Sequence, residues 1–346
     1  MEAPSRDCRI VPEVLHDYGE LAREVLCRYL PVREPRRYLY DLVADYPQRG
    51  GRMLRPSLCL ATARAFGARP EDVLPSAVSI ELLHNALLIH DDVEDESEER
   101  RGRPTLHREH GTALAINAGD TLVVLSLEPL FENIARLGSR LALRVLEETW
   151  RTARETAEGQ ALDLGWRRDN VLDLSRDDYL RMVLRKTCWL TTLHPLRIGA
   201  LIGSRDGFDL ERLLRFGFFL GAAFQIQDDL LNLVGDPVRY GKEIGGDLLE
   251  GKRTLMLIYL LERALTGERR QIHQLLGLPR EERSPEMVTW IRKLMDHYGC
   301  IEHARGVAHG LAGAAAHEAS LLFAGLPDGR DRRFLEELPA WVIERA

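Results

Sequence analysis

Apolar residues recur at three- and four-residue spacing along almost the whole chain, which is the mark of amphipathic or buried α-helix. The stretch Val78-Ser79-Ile80-Glu81-Leu82-Leu83-His84-Asn85-Ala86-Leu87-Leu88-Ile89 is the plainest case. Valines and isoleucines fall inside these patterns, and no convincing alternation marks a strand. Glycine and proline breaks at 47–51, 67–70, 101–104, 203–207, 235–237, 277–279 and 325–327 punctuate about a dozen helices. One of these, over 108–135, carries Ala113, Ala115, Ala118 and Gly119 as small residues for close helix packing. No break is long enough for a linker and no fixed-period repeat occurs. The pattern predicts an all-α chain in a single domain over 1–346, with residues 1–14 as a loose tail.

Charge changes the picture where the apolar runs stop. Seven acids crowd into His90-Asp91-Asp92-Val93-Glu94-Asp95-Glu96-Ser97-Glu98-Glu99, followed by Arg100-Arg101-Gly102-Arg103-Pro104. Carboxylates at a helix C-terminus face the negative end of the helix dipole, so a cation must offset them, and a hard divalent metal suits oxygen ligands. Asp91 and Asp95, four residues apart, share a helix face about 6 Å apart along the axis. Asp92 points away and reads as a lesser ligand. Alone, the run reads equally as a solvated acidic helix end. A second copy, Phe224-Gln225-Ile226-Gln227-Asp228-Asp229-Leu230-Leu231-Asn232, repeats the four-residue spacing at Asp228 and Asn232. Two acidic helix ends on apolar helices predict two walls of one deep cavity that hold Mg²⁺ with a phosphate ligand.

Cations accompany the acids. Arg52 and Arg55 lie about one helical turn apart beside Gly50, Gly51 and Pro56, and arginine forks suit phosphate oxygens, although the segment reads equally as a basic helix start. His84, in an apolar helix, is by default a satisfied core residue. Lys186, Lys242 and Lys252 are by default surface lysines. The glycines of 241–251 suggest a flap that excludes water from a reactive cation.

These motifs, in this order, resemble the trans-isoprenyl diphosphate synthases, the polyprenyl synthetase family. The resemblance rests on the acid run with its Arg-Arg-Gly-x-Pro tail, on Phe-Gln-Ile-x-Asp-Asp, and on Gly51-Arg52-Met53-Leu54-Arg55-Pro56, Lys186-Thr187 and Gly251-Lys252. It covers roughly residue 15 onward and implies an isoprenoid-synthase-type helical bundle in a homodimer. The implied reaction joins isopentenyl diphosphate to an allylic diphosphate with three Mg²⁺ per site. Asp91, Asp92, Asp95, Asp228, Asp229 and Asn232 would bind metal. Arg52, Arg55, His84 and Arg101 would meet isopentenyl diphosphate; Arg100, Lys186, Lys242 and Lys252 would meet the allylic one, with Thr187 and Gln225 beside them. Gln160 and Asp163 would orient ligands. Asn232 stands where most relatives carry a third aspartate, as in eukaryotic-type geranylgeranyl synthases. Leu83, Ala86 and Leu87 would gauge product length, with small Ala86 leaving the passage open, which favours geranylgeranyl diphosphate over longer polyprenyl products.

The 346 residues are 45% apolar with a net charge of -7, so no basic footprint for nucleic acid exists. Five scattered cysteines predict free thiols in a reducing compartment. Residues 1–7 lack the shape of a signal peptide, and no apolar run is expected to reach membrane-spanning length; the expectation is a cytoplasmic enzyme. A class I terpene cyclase would have no use for Arg55, His84 and Arg101, and a non-catalytic partner subunit would not keep both acidic motifs intact.

Overall fold

The computed structural model describes residues 10–235 and 244–345. Helices dominate it, as the apolar periodicity predicts. In chain order the first ten are α1 (Ile10–Leu26), α2 (Asp41–Gln48), α3 (Leu54–Ala65), α4 (Pro70–Glu94), α5 (Leu106–His110), α6 (Thr112–Leu137), α7 (Ser139–Arg168), α8 (Arg176–Val183), α9 (His194–Gly203) and α10 (Leu213–Val234). A short helix, Gly246–Glu250, follows, and then Leu255–Arg263, Thr266–Leu276, Pro285–His297, Cys300–Leu322 and Arg330–Glu344. Val11 and Val14 are fully buried in α1, so the expected loose tail does not extend to residue 14. Tail residues 1–9 and Lys242 lie outside the described residues.

The helices that carry the motifs are the most buried. Pro70 opens α4, with Glu71 and Asp72 in its first turn, where proline costs no hydrogen bond and acids meet the positive dipole end. From Val73 to Ile89 nearly every residue of α4 is buried, and the helix packs on α6, α3 and α1. Helix α10 packs on Cys300–Leu322. By length and composition both α4 and α6 could cross a membrane, contrary to the sequence expectation. Within the bundle, the most apolar window of α4 is 78% buried and that of α6 is 44% buried.

Two departures from α-helix shape the site. Between α8 and α9, residues Leu184–Leu193 form a π-helix, whose wider turn is frequent at functional positions. After the acid run comes a tiny antiparallel ladder, β1 (Glu99–Arg100) and β2 (Arg103–Pro104). Arg101 and Gly102 form its turn, with φ of 55° and 72°, the backbone of a tight primed hairpin turn.

Candidate active site

Both acidic motifs open onto one cavity of about 790 Å³. Its polar wall includes Asp91, Glu94, Asp228, Asp229 and Asp247; its cations include Arg55, Arg100, Arg101, Lys186 and Lys252. Its apolar wall is Leu87, Leu88, Leu164, Met182, Leu190 and Phe224. The arrangement predicted from the two helix ends is therefore present.

Cations of the chain itself offset the first motif. The Lys186 ammonium lies 2.6 Å from Asp163 and 3.4 Å from Asp91. Burial would lower its pKa, but Asp163, then Asp91 and Asp95, raise it well above the ordinary lysine value, so it remains a fixed positive charge. Gln160 donates to Asp91 at 3.2 Å and also to Glu94. Glu94 is pushed up by burial and by the charges of Asp91 and Asp95. Asp95 is almost fully buried and clamped by Arg167 at 2.7 Å and Lys252 at 2.8 Å. Asp92 does not face the cavity. It accepts from Tyr46 Oη at 2.6 Å and from Arg100 Nε at 3.0 Å, and no part of it is exposed. Asp92, expected as a lesser metal ligand, is here a buried counter-ion to Arg100, which also sits 3.7 Å from Asp91.

The hairpin separates the two arginines. Arg100 stays with the first motif, while Arg101 turns to donate to the Tyr46 carbonyl at 3.1 Å and presses on Gly51, whose missing Cβ would lie 2.9 Å from its guanidinium. There Arg101 faces Glu81, as do Arg55 and His84. Arg55 donates to Thr191 at 2.8 Å, and burial lowers its pKa to about 10. His84 Nδ1 stands 3.4 Å from Glu81. Burial, then the Arg55 charge, pulls its pKa down to about 4, so the imidazole is neutral near pH 7. Arg52 is exposed, rests over the Trp341 ring at 5.8 Å and is not among the residues that line the cavity.

On α10, Asp228 pairs with Arg345 at 2.6 Å. Asp229 accepts from Tyr179 at 2.8 Å and from Gln225 at 2.7 Å, and Gln225 accepts from Thr187 at 2.7 Å. Burial, then the neighbouring Asp247 charge, lifts Asp229 to about 8. Asn232, expected as a metal ligand, accepts at Oδ1 from the Asp247 backbone N–H at 3.0 Å and at its carbonyl from Gly245 N–H at 2.7 Å. It anchors the glycine segment against α10. Of the expected length-gauging residues, only Leu87 lines the cavity. Ala86 is fully buried in the packing of α4 on α6, and Leu83 is also buried off the lining.

Sequence reasoning missed Glu94, Asp247, Arg167, Tyr179 and Arg345. Glu94 and Asp247 sat inside stretches already singled out. Arg167, Tyr179 and Arg345 carry no local signal.

The donors are all oxygen, which suits Mg²⁺. Among the described residues no three acidic, histidine or cysteine side chains converge on one metal position. That fits an ion bound through one or two carboxylates plus phosphate oxygens and water.

The polyprenyl synthetase family model matches residues 36–295. The short chain isoprenyl diphosphate synthase of Methanothermobacter thermautotrophicus is 35% identical over 86% of this chain and 88% of its own. The geranylgeranyl pyrophosphate synthase of Geoglobus acetivorans is 33% identical over 97% and 99%. The polyprenyl synthase of Caulobacter crescentus, solved in complex with calcium and isoprenyl diphosphate, superposes with a TM-score of 0.85 at 28% identity, covering both chains completely. With its two acidic motifs and their cations on one cavity, the chain belongs to the polyprenyl synthetase family, the trans-prenyl diphosphate synthases.

Proposed function

We propose that the chain joins isopentenyl diphosphate to an allylic diphosphate in a Mg²⁺-dependent reaction and that its main product is geranylgeranyl diphosphate. The observation that carries this reading is the presence of two separate cationic groups on one cavity. Lys186 and Arg100 stand with Asp91; Arg55, Arg101 and His84 gather around Glu81. A cyclase of a single diphosphate needs only the first group.

In the proposed reaction the first group and Asp228 hold the allylic diphosphate, and the second holds isopentenyl diphosphate. Bound Mg²⁺ supplies Lewis-acid stabilisation of the leaving diphosphate. Lys186, fixed by Asp163, presents a preorganised charge where negative charge grows as the allylic C–O bond breaks. Arg55 and Arg101 hold the second diphosphate so that its double bond faces the allylic carbon, and a new C–C bond forms there. The proton lost from the adjacent carbon passes to the departed diphosphate. Leu87, Leu88, Leu164, Leu190 and Phe224 receive the lengthening apolar tail and exclude water from the cation.

A homodimer fits the surface. Val124 and Phe131 on α6 and Trp150 on α7 are 63–70% exposed, with Ile134 and Leu143 beside them in sequence and more than half exposed. An apolar patch of this kind marks an interaction surface.

The direct test is mass analysis of products from isopentenyl diphosphate with dimethylallyl, geranyl or farnesyl diphosphate, with Mg²⁺ and with EDTA. Twenty-carbon diphosphate made only with Mg²⁺ is the expected result. A cyclic hydrocarbon from the allylic substrate alone would establish a cyclase, and no turnover with any starter would establish a non-catalytic subunit.

A further inference from the structure

Just past the helix Arg330–Glu344 the chain reaches back onto the second acidic motif. The Arg345 guanidinium donates to Asp228 Oδ1 at 2.6 Å and to the Phe224 carbonyl at 2.8 Å. It lies over the Phe224 ring, 3.7 Å from the centroid, and its side chain is 6% exposed. The Gln227 amide donates to the Arg345 carbonyl at 3.3 Å, which fixes the backbone in this position. One turn earlier Trp341 carries Arg52. The end of this helix thus occupies the cationic place beside Asp228, the carboxylate that the reading above gives to the metal-bound diphosphate. In the first motif, Asp91, Asp92 and Asp95 take their cations from Lys186, Arg100, Lys252 and Arg167, all earlier in the chain than the helix Arg330–Glu344. Asp228 takes one from the residue just past the helix Arg330–Glu344.

We propose that Arg345 is a positioning residue: a displaceable counter-ion that fixes the Asp228 carboxylate before substrate arrives and gives way when metal and diphosphate load. A guanidinium hydrogen-bonded to a carboxylate and a divalent ion compete for the same negative charge, so loading must include the cost of breaking this pair. The inference rests on the prenyl-transfer reading, and the experiment separates the two. Mg²⁺ is titrated calorimetrically into protein saturated with inorganic pyrophosphate, for the wild type, Arg345→Gln and Arg345→Lys. Arg345→Gln should tighten Mg²⁺ binding by about tenfold, which is about 1.4 kcal/mol, and Arg345→Lys, which keeps the charge but loses the fork and the stacking on Phe224, should fall between wild type and Arg345→Gln. In the wild type, amide exchange over residues 341–345 should quicken when Mg²⁺ and pyrophosphate are added, a readout that needs no variant. Unchanged or weaker Mg²⁺ binding in folded Arg345→Gln, or unchanged exchange in the wild type, overturns the inference. Failure of the wild type to bind Mg²⁺ and pyrophosphate at all would count instead against the prenyl-transfer reading.

Discussion

Gly159→Ala should disable the site without touching a ligand. Helix α7 crosses the π-helix at Gly159, where a Cβ would sit 2.6 Å from Lys186 Cα and 2.7 Å from the Arg185 carbonyl carbon. Ordinary contact begins at 3.4 Å and the Lys186 backbone N would be nearer still than Cα, so the backbones must part by more than 0.8 Å. Backbone cannot swing aside as a flexible side chain would. Overpacking of this kind costs about 1–3 kcal/mol of stability. The displaced residue is Lys186, whose ammonium is held 2.6 Å from Asp163, and a misplacement near 1 Å can cost about 10²-fold in rate. The expected outcome is a fall in kcat of about 10–10²-fold, with a lower Tm and a nearly unchanged KM for isopentenyl diphosphate, whose proposed group lies on α3, α4 and the hairpin. Gly165→Ala is the control: it lies on the same helix with nothing within 4 Å of its Cβ, so it should be neutral or stabilising by up to about 1 kcal/mol. Steady-state kinetics and thermal melts of both variants decide the matter. Wild-type kcat in Gly159→Ala would refute the claim that this crossing sets the position of Lys186.

Leu87→Phe should shorten the product by one or more five-carbon units, because Leu87 lines the cavity; Ala86→Phe should lower Tm by overpacking α4 against α6, and product mass spectra with melts distinguish the two. Stability should fall as pH drops below about 6.5. His84 and His194 are buried with pKa values pulled down to about 4 and about 3, so the unfolded chain binds more protons there, and each costs up to about 1.36 kcal/mol per pH unit. His194→Gln should flatten denaturant-derived stability between pH 6.5 and 4, and an unchanged slope would refute this origin.

Much of the site was legible because its chemistry is concentrated in the sequence. Carboxylates at the ends of apolar helices are costly, and that cost pointed to one cation-filled cavity. Other features were hidden for physical reasons. A π-helix has a wider turn than an α-helix, but ten residues flanked by apolar helices are too few for the change of period to show, so Leu184–Leu193 gave no warning. A ladder of two residues per strand is too short to alternate. Of the length-gauging residues, Ala86 and Leu83 lie off the lining because of helix phase: five and eight residues before Asp91 lie roughly 140° and 80° around the helix, whereas three, four and seven residues before it fall within about 60°. Those nearer positions are Leu88, Leu87 and His84, and all three line the cavity. Arg345 pairs across 117 residues, a distance at which no spacing rule operates.

Asn232 ends the second acidic motif with an amide, and the structure gives it a task that a carboxylate could share. Its Oδ1 accepts the Asp247 N–H at 3.0 Å, and a carboxylate oxygen would accept that bond equally well. The difference is charge. Asp229 already retains its proton up to about 8 because of burial and Asp247, and Asp228 lies one turn back on the same face. A further carboxylate at position 232 would join Asp228 and Asp247, whose charges already bear on Asp229, with no new cation. Like charges at this spacing on a helix are destabilising by a few tenths of a kcal/mol at the surface, and by more where burial reduces screening. Asn232→Asp should therefore keep its fold, lose about 1 kcal/mol of stability in EDTA, and regain it with Mg²⁺ and pyrophosphate, which bind the state carrying the added charge. Its activity should saturate at lower Mg²⁺ than wild type. Asn232→Leu, which removes the acceptor and strands the Asp247 N–H, should be destabilised with or without Mg²⁺. Melts of both variants in EDTA and in Mg²⁺ with pyrophosphate provide the test. If Asn232→Asp melts like wild type in EDTA, charge crowding is not what the amide avoids, and the hydrogen bond to the glycine segment is its whole role.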